Sequence, residues 1–217
     1  MVARAAPVSL RGGIAMARTP VRRIVTGHDN DGHAIILSDG PAPHSFESAT
    51  IPGFGATVPW MTDAGPIDHV TDQDPAAADA DIPSFPAAGQ TIVRIADFPP
   101  DADYPETAES VIFTEIDGHD EAQAGNKHSG GKHFWFHRTD SLDYAVVLEG
   151  EITLLVDDGE ATIRPGDVVI QRATSHAWSN RTDKPARVLF VLIGTPPLSA
   201  AEIAAERQKL LEGAKRQ

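Results

Sequence analysis

Three side chains in the last third of this chain could gather around one ion: His137, Asp143 and His176, with Thr139 between the first two. Each lies in or beside a short β-prone run. Along 142–148 the side chains alternate, so Asp143, Ala145 and Val147 share one face and Tyr144, Val146 and Leu148 the other. His176 and Trp178 share a face in the same way. With Asp143 and His176 turned inward, small Ala145 leaves room beside them and Trp178 supplies an aromatic wall. Two imidazoles and one carboxylate suit Fe, Mn, Zn or Ni as a divalent ion, with positions left for water or substrate. Without a metal, the same three groups form an acid–base cluster.

Around this set, Thr139 is placed to hydrogen-bond a substrate or bound water. His133 and Thr139 are the candidate catalytic residues, and Trp135, Ala145 and Trp178 the candidate pocket residues. A strand over 132–137 puts His133, Trp135 and His137 on one face and Phe134 and Phe136 on the other. Four residues of strand rise roughly 13 Å, so His133 and His137 cannot grip one ion together. His133 and Trp135 are expected at the entrance. His28, His33, His44 and His69 fall in an arm and loops, where a solvated imidazole is expected. His119 and His128 flank a glycine-rich loop. The chain contains no glycine-rich phosphate loop after a strand, no Gly-x-Ser-x-Gly and no His-Glu-x-x-His.

The elements that must position these residues are strands. Runs at 142–148, 152–156, 161–164, 168–171, 176–179 and 187–193 follow one another every eight to twelve residues. Asp157-Asp158-Gly159 and Pro165-Gly166-Asp167 are turn signals between them. That spacing predicts a sandwich or closed barrel. Earlier strands are predicted at 22–26, 33–38, 57–62, 91–96 and 110–116, with a polar loop over 117–131. Residues 63–90, rich in Asp, Ala and Pro, read as an exposed loop able to act as a lid. The tail from 199 to 215 reads as a helix. Ser199 and Glu202 have capping-box spacing, and Ile203, Leu210 and Leu211 form a stripe expected to pack on the barrel or a second subunit.

Composition narrows the function classes. With 217 residues and 41% hydrophobic content, the chain can build one sizeable core. It has no cysteine, which removes disulfides, thiolate ligands and cysteine nucleophiles. A net charge of −13 disfavours a nucleic-acid partner. No run approaches the ~18 apolar residues of a membrane span. Residues 1–28 carry five Arg and no acid. Segment 1–20 is expected to be a disordered leader, with Met16 as a candidate start, on a cytoplasmic protein.

The stretch from about 130 to 195 resembles the cupin superfamily, a small jelly-roll β-barrel. Its first motif is His-x-His, three or four residues, Glu, six residues, Gly. Here His137 matches the first His, Thr139 stands at the second, Asp143 at the Glu and Gly150 at the Gly. The second motif ends in His, three residues, Asn, matched by His176 and Asn180. Gln171 and Ala173 stand in place of its Pro-x-Gly. The resemblance implies an all-β barrel over 106–197. A strand and loop extension over 21–105 packs on the barrel or a partner subunit, and a helix covers 198–217. It implies a metal-dependent enzyme of dioxygenase, decarboxylase, dehydratase or isomerase type, acting on a small carbonyl, enol or aromatic metabolite. A non-catalytic small-molecule-binding module is the alternative. It also implies a homodimer.

Overall fold

The computed structural model describes residues 18–105, 133, 134 and 136–214. The predicted strand at 110–116, the loop over 117–131, His119, His128 and Trp135 lie outside the described residues.

Alternation of small or branched apolar residues with polar ones builds two facing sheets. The larger has six strands in the order β3-β4-β5-β11-β6-β9. These are β3 (Ser45–Glu47), β4 (Gly55–Thr62), β5 (Thr91–Phe98), β6 (Ser141–Glu149), β9 (Val168–Arg172) and β11 (Ala186–Gly194). The smaller has the order β10-β7-β8, from β7 (Ile152–Val156), β8 (Gly159–Ile163) and β10 (His176–Ser179). All neighbouring strands are antiparallel. A separate hairpin joins β1 (Arg22–His28) to β2 (Ala34–Pro41). The predicted all-β jelly-roll architecture is the one observed.

β11 is the spine. Ala186, Val188, Phe190 and Leu192 are buried, while the residues between them are only half-buried. β11 pairs with β5 along one side and β6 along the other, Phe190 facing Arg94 and Ala145 and Leu192 facing Ile92 and Asp143. Most of its buried side chains join one core with Ile51, Ile92, Ile152 and Leu155. Three strands from before residue 105, β3, β4 and β5, belong to the six-stranded sheet, β5 pairing with β11, whereas β1 and β2 form a sheet of their own. A carboxylate ties this corner. Asp97 on β5 accepts from Arg187 Nε and Arg18 Nε, both at 2.6 Å, and is 6% exposed.

The structure revises three local expectations. The run 132–137 is not a strand in its described residues. Among those residues, one β-bridge is formed, antiparallel, between His137 and His176. Its alternation therefore does not dictate where His133 points. Residues 63–90 lack regular structure, as expected, but are pinned. Arg23 pairs with Asp74 at 2.6 Å, Gln90 Nε2 donates to Asp63, and Gly89 and Gly194 are joined by a backbone bond of 3.0 Å. Helix α1 (Ala200–Ala214) starts at the expected box: Ser199 N donates to Glu202 Oε2 and Glu202 N to Ser199 Oγ. Its stripe does not pack on the barrel of this subunit, for Leu210 and Leu211 are 72% and 59% exposed. No helix among the described residues is long and apolar enough to cross a membrane.

Candidate functional site

A cavity of about 260 Å³ lies between the two sheets. Each wall follows from strand parity. β6 turns Ser141, Asp143, Ala145 and Val147 inward and leaves Tyr144 and Leu148 exposed, as the alternation requires. β10 contributes His176 and Trp178, β11 contributes Phe190 and Leu192, and β5 contributes Arg94, Ala96 and Phe98. The pinned loop closes one side with Ile82, Ser84 and Phe85.

Three of the groups singled out in the sequence share this cavity: His137, Asp143 and His176, with Thr139 and Trp178 beside them. The His137 and His176 rings lie 4.4 Å apart, and Phe85 covers His137 from 5.8 Å. His176 Nδ1 lies 2.9 Å from the Thr174 carbonyl, which can only accept, so the proton sits on Nδ1 and the Nε2 lone pair is the donor available to a ligand. Burial, together with the neighbouring His137, pushes the His176 pKa well below its usual range, so the ring is neutral at pH 7.

Asp143 is 3% exposed. Gln171 Nε2 donates to its Oδ2 at 2.7 Å, whereas Oδ1 has no hydrogen bond. The nearby Ser141 Oγ also lies 2.8 Å from Thr139 Oγ1. Burial raises the carboxyl to about 6, opposed by Ser141 and by the positive charge of Arg94. Arg94 is held by one hydrogen bond, 2.6 Å to the Ser84 carbonyl. Burial pushes its guanidinium down to about 10, so it stays cationic at neutral pH.

The remaining candidates lie elsewhere. His133 is not among the cavity-lining residues. Its ring stacks on Phe134 at 4.5 Å and places Nε2 3.4 Å from Asp101 Oδ2. Ala145 is 2% exposed and belongs to the packed core below the cavity rather than to its lining. Asn180 is structural: its Nδ2 donates to the Phe98 and Lys184 carbonyls and its Oδ1 accepts from Thr182. The expected metal ligands face one space but do not meet at coordinating distance. Among the described residues, the one trio of His and carboxylates whose donor atoms all fall within 4.8 Å is Asp29, Asp31 and His33. That exposed trio is the turn of the β1–β2 hairpin, where Asp29 Oδ1 accepts from the Asp31 and His33 amides.

Three cavity residues, and Gln171 bonded to Asp143, were given no site role from the sequence. Arg94 had a legible signal: it sits at even spacing between Ile92 and Ala96, both buried. Gln171 had a weaker one, facing Asp143 across β6 and β9. His44 was expected in solvent but lines the cavity, with Nδ1 3.3 Å from the Ala77 carbonyl. Phe85 had none, because loop residues carry no periodicity.

Residues 126–192 match the Cupin domain family. The chain carries a cupin domain. Similar proteins extend beyond that segment. It is 29% identical over 177 residues to the cupin-domain-containing oxidoreductase fogC of Aspergillus ruber, covering 80% of this chain and 72% of that protein. It is 29% identical to phomopsin biosynthesis cluster protein C' of Diaporthe leptostromiformis, covering 83% of this chain and 82% of that one. The cupin-domain-containing oxidoreductase virC of Hypocrea virens is 27% identical, with 83% and 79% covered. Among solved structures, the DMSP lyase DddQ of Ruegeria pomeroyi is 15% identical with a TM-score of 0.37, covering 71% of this chain and 53% of that chain. That overlap is too loose to bear on function.

Proposed function

We propose that this cupin is an enzyme acting on a small, largely apolar metabolite in its inter-sheet cavity, with a divalent metal held by His137, Asp143 and His176. One observation carries the reading. Two adjacent imidazoles, the His176 ring neutral, and a buried carboxylate with an unpaired oxygen face the same enclosed space. The donor chemistry of that set fits Fe, Mn, Zn or Ni. When bound, such an ion supplies a Lewis acid for a carbonyl or enol oxygen. Relatives named as oxidoreductases and biosynthesis cluster proteins support turnover over passive storage.

The chain's own residues do the rest. Trp178, Phe190 and Phe98 offer an apolar bed that orients a ring or hydrocarbon and excludes water. Thr139 lines the cavity, and its hydroxyl, 2.8 Å from Ser141 Oγ, can hydrogen-bond a bound molecule. The Thr174 carbonyl fixes the tautomer of His176, and Gln171 steadies one oxygen of Asp143.

A second reading is favoured by the spacing of the donors, which do not all lie within 4.8 Å of one another. In it, Asp143 and the histidine pair work without a metal. Asp143, with its pKa raised to about 6, would exchange a proton with the substrate.

Elemental analysis of protein purified without added metal separates the cases. Stoichiometric metal that is lost in His176→Ala supports the first reading. Turnover by metal-free protein supports the second. Metal-free protein that binds a metabolite without converting it would leave only a binding module.

A further inference from the structure

Among the described residues, Arg94 is a half-buried cation that meets no carboxylate. Arg18, Arg22, Arg23, Arg138, Arg164, Arg181 and Arg187 each pair with an acid within 4.0 Å. Arg94 has no such pair among the described residues. Its one hydrogen bond goes to a neutral carbonyl, that of Ser84. A guanidinium has five N–H donors, and those left over by Ser84 belong to a side chain that lines the cavity. A charge drawn partly out of water without a counter-ion is costly, and proteins keep one where something else completes it. The closest influence from an acid is that of Asp143, felt through space without contact. On the metal reading above, Asp143 is committed to the ion and no longer offsets Arg94.

We propose that Arg94 is the anchor for an anionic group of the ligand, a carboxylate, whose apolar remainder lies against Trp178, Phe190 and Phe85. The substrate class is then an amphipathic organic acid with a ring or short hydrocarbon body. A planar guanidinium engages a carboxylate through two parallel hydrogen bonds, which a neutral amide cannot match. The aromatic lining disfavours small hydrophilic diacids, because a second charge would lie among rings with no partner. The inference rests on the cavity being the ligand site, as proposed above, but not on the metal.

The test is isothermal titration of the full chain with two matched pairs: 3-phenylpropanoate against 3-phenylpropanamide, and octanoate against octanamide. Each is run on metal-loaded and EDTA-treated protein. Expected is binding of at least one acid, with its amide about tenfold or more weaker. Arg94→Gln is expected to level acid and amide, and Arg94→Lys to keep part of the preference. Equal binding of acid and amide, or no binding of either acid at millimolar concentration, overturns the proposal. So does an Arg94→Gln protein, folded by circular dichroism, that still prefers the acid. If Arg94→Gln does not fold, the wild-type pairs and Arg94→Lys still decide. A preference that vanishes on EDTA treatment would assign the anion to the metal and also overturn it. A protein that takes up no metal yet prefers the acid keeps the anchor and removes the metal reading.

Discussion

His137 and His176 meet twice: their backbones exchange hydrogen bonds of 2.9 and 3.0 Å, and their rings lie 4.4 Å apart. The bridge adds a last rung to β10 and fixes both Cα positions. The two imidazoles are therefore presented as a pair by backbone pairing, before any ligand enters.

On the metal reading proposed above, His176→Ala is expected to abolish metal uptake while leaving the barrel folded. Loss of a ligand should cost more than the about 10–100-fold in affinity that loss of an outer partner costs. Inductively coupled plasma analysis of dialysed protein checks it, alongside far-UV circular dichroism. Full metal retention in the variant would remove His176 from the ligand set.

Asp143 predicts a pH dependence of stability in metal-free protein. Burial raises its pKa from 3.8 to about 6, so the folded chain holds this proton more tightly than the unfolded chain. Stability from this group is then highest below about pH 4 and falls as pH rises toward 6 and beyond. The span is on the order of 3 kcal/mol. Asp143→Asn should flatten that slope and gain stability at pH 7 relative to wild type. Urea melts at pH 4.5 and pH 7.5 measure it, and parallel profiles for the two proteins would refute the assignment.

Asp97→Asn should destabilise the fold outside the cavity. It leaves Arg18 and Arg187, whose side chains are 13% and 11% exposed, without their shared carboxylate. Breaking a buried ion pair on one side costs about 3–5 kcal/mol. Chemical denaturation reads the loss, and a change under about 1 kcal/mol would show that the cluster is solvated.

Gly194 sets the approach of the 63–90 loop to β11. A methyl there would collide with the Ala87 carbonyl oxygen, while Gly194 N donates to Gln90 O at 2.9 Å. Gly194→Ala is expected to lift the loop, which carries Phe85 over His137. Limited proteolysis should then cut between 63 and 90 faster than in wild type. An unchanged digestion pattern would mean that the loop is held elsewhere.

The strands were legible because each has its own period and its own stops. The run 176–179 was read to the residue, and the alternation in 142–148 correctly turned Asp143 inward. Those features are local, since a strand's two faces and a Gly or Pro turn are written within a few residues. The 132–137 run failed for the complementary reason. Its aromatic alternation resembles a strand, but among its described residues the β-bridge is made by His137 alone. A strand exists through its neighbour, and the neighbour is not in the run.

The sequence alone therefore determined the strands, their turn residues, and which side chains share a face with Asp143 and with His176. Tertiary structure decided that His137, Asp143 and His176 line one cavity, that a loop about 50 residues upstream walls in His137, and that Arg94 enters the cavity with no carboxylate partner among the described residues. Face and turn follow from steric rules within one strand. Distance, burial and charge balance are sums over segments far apart in the chain, and only the folded packing brings those segments together.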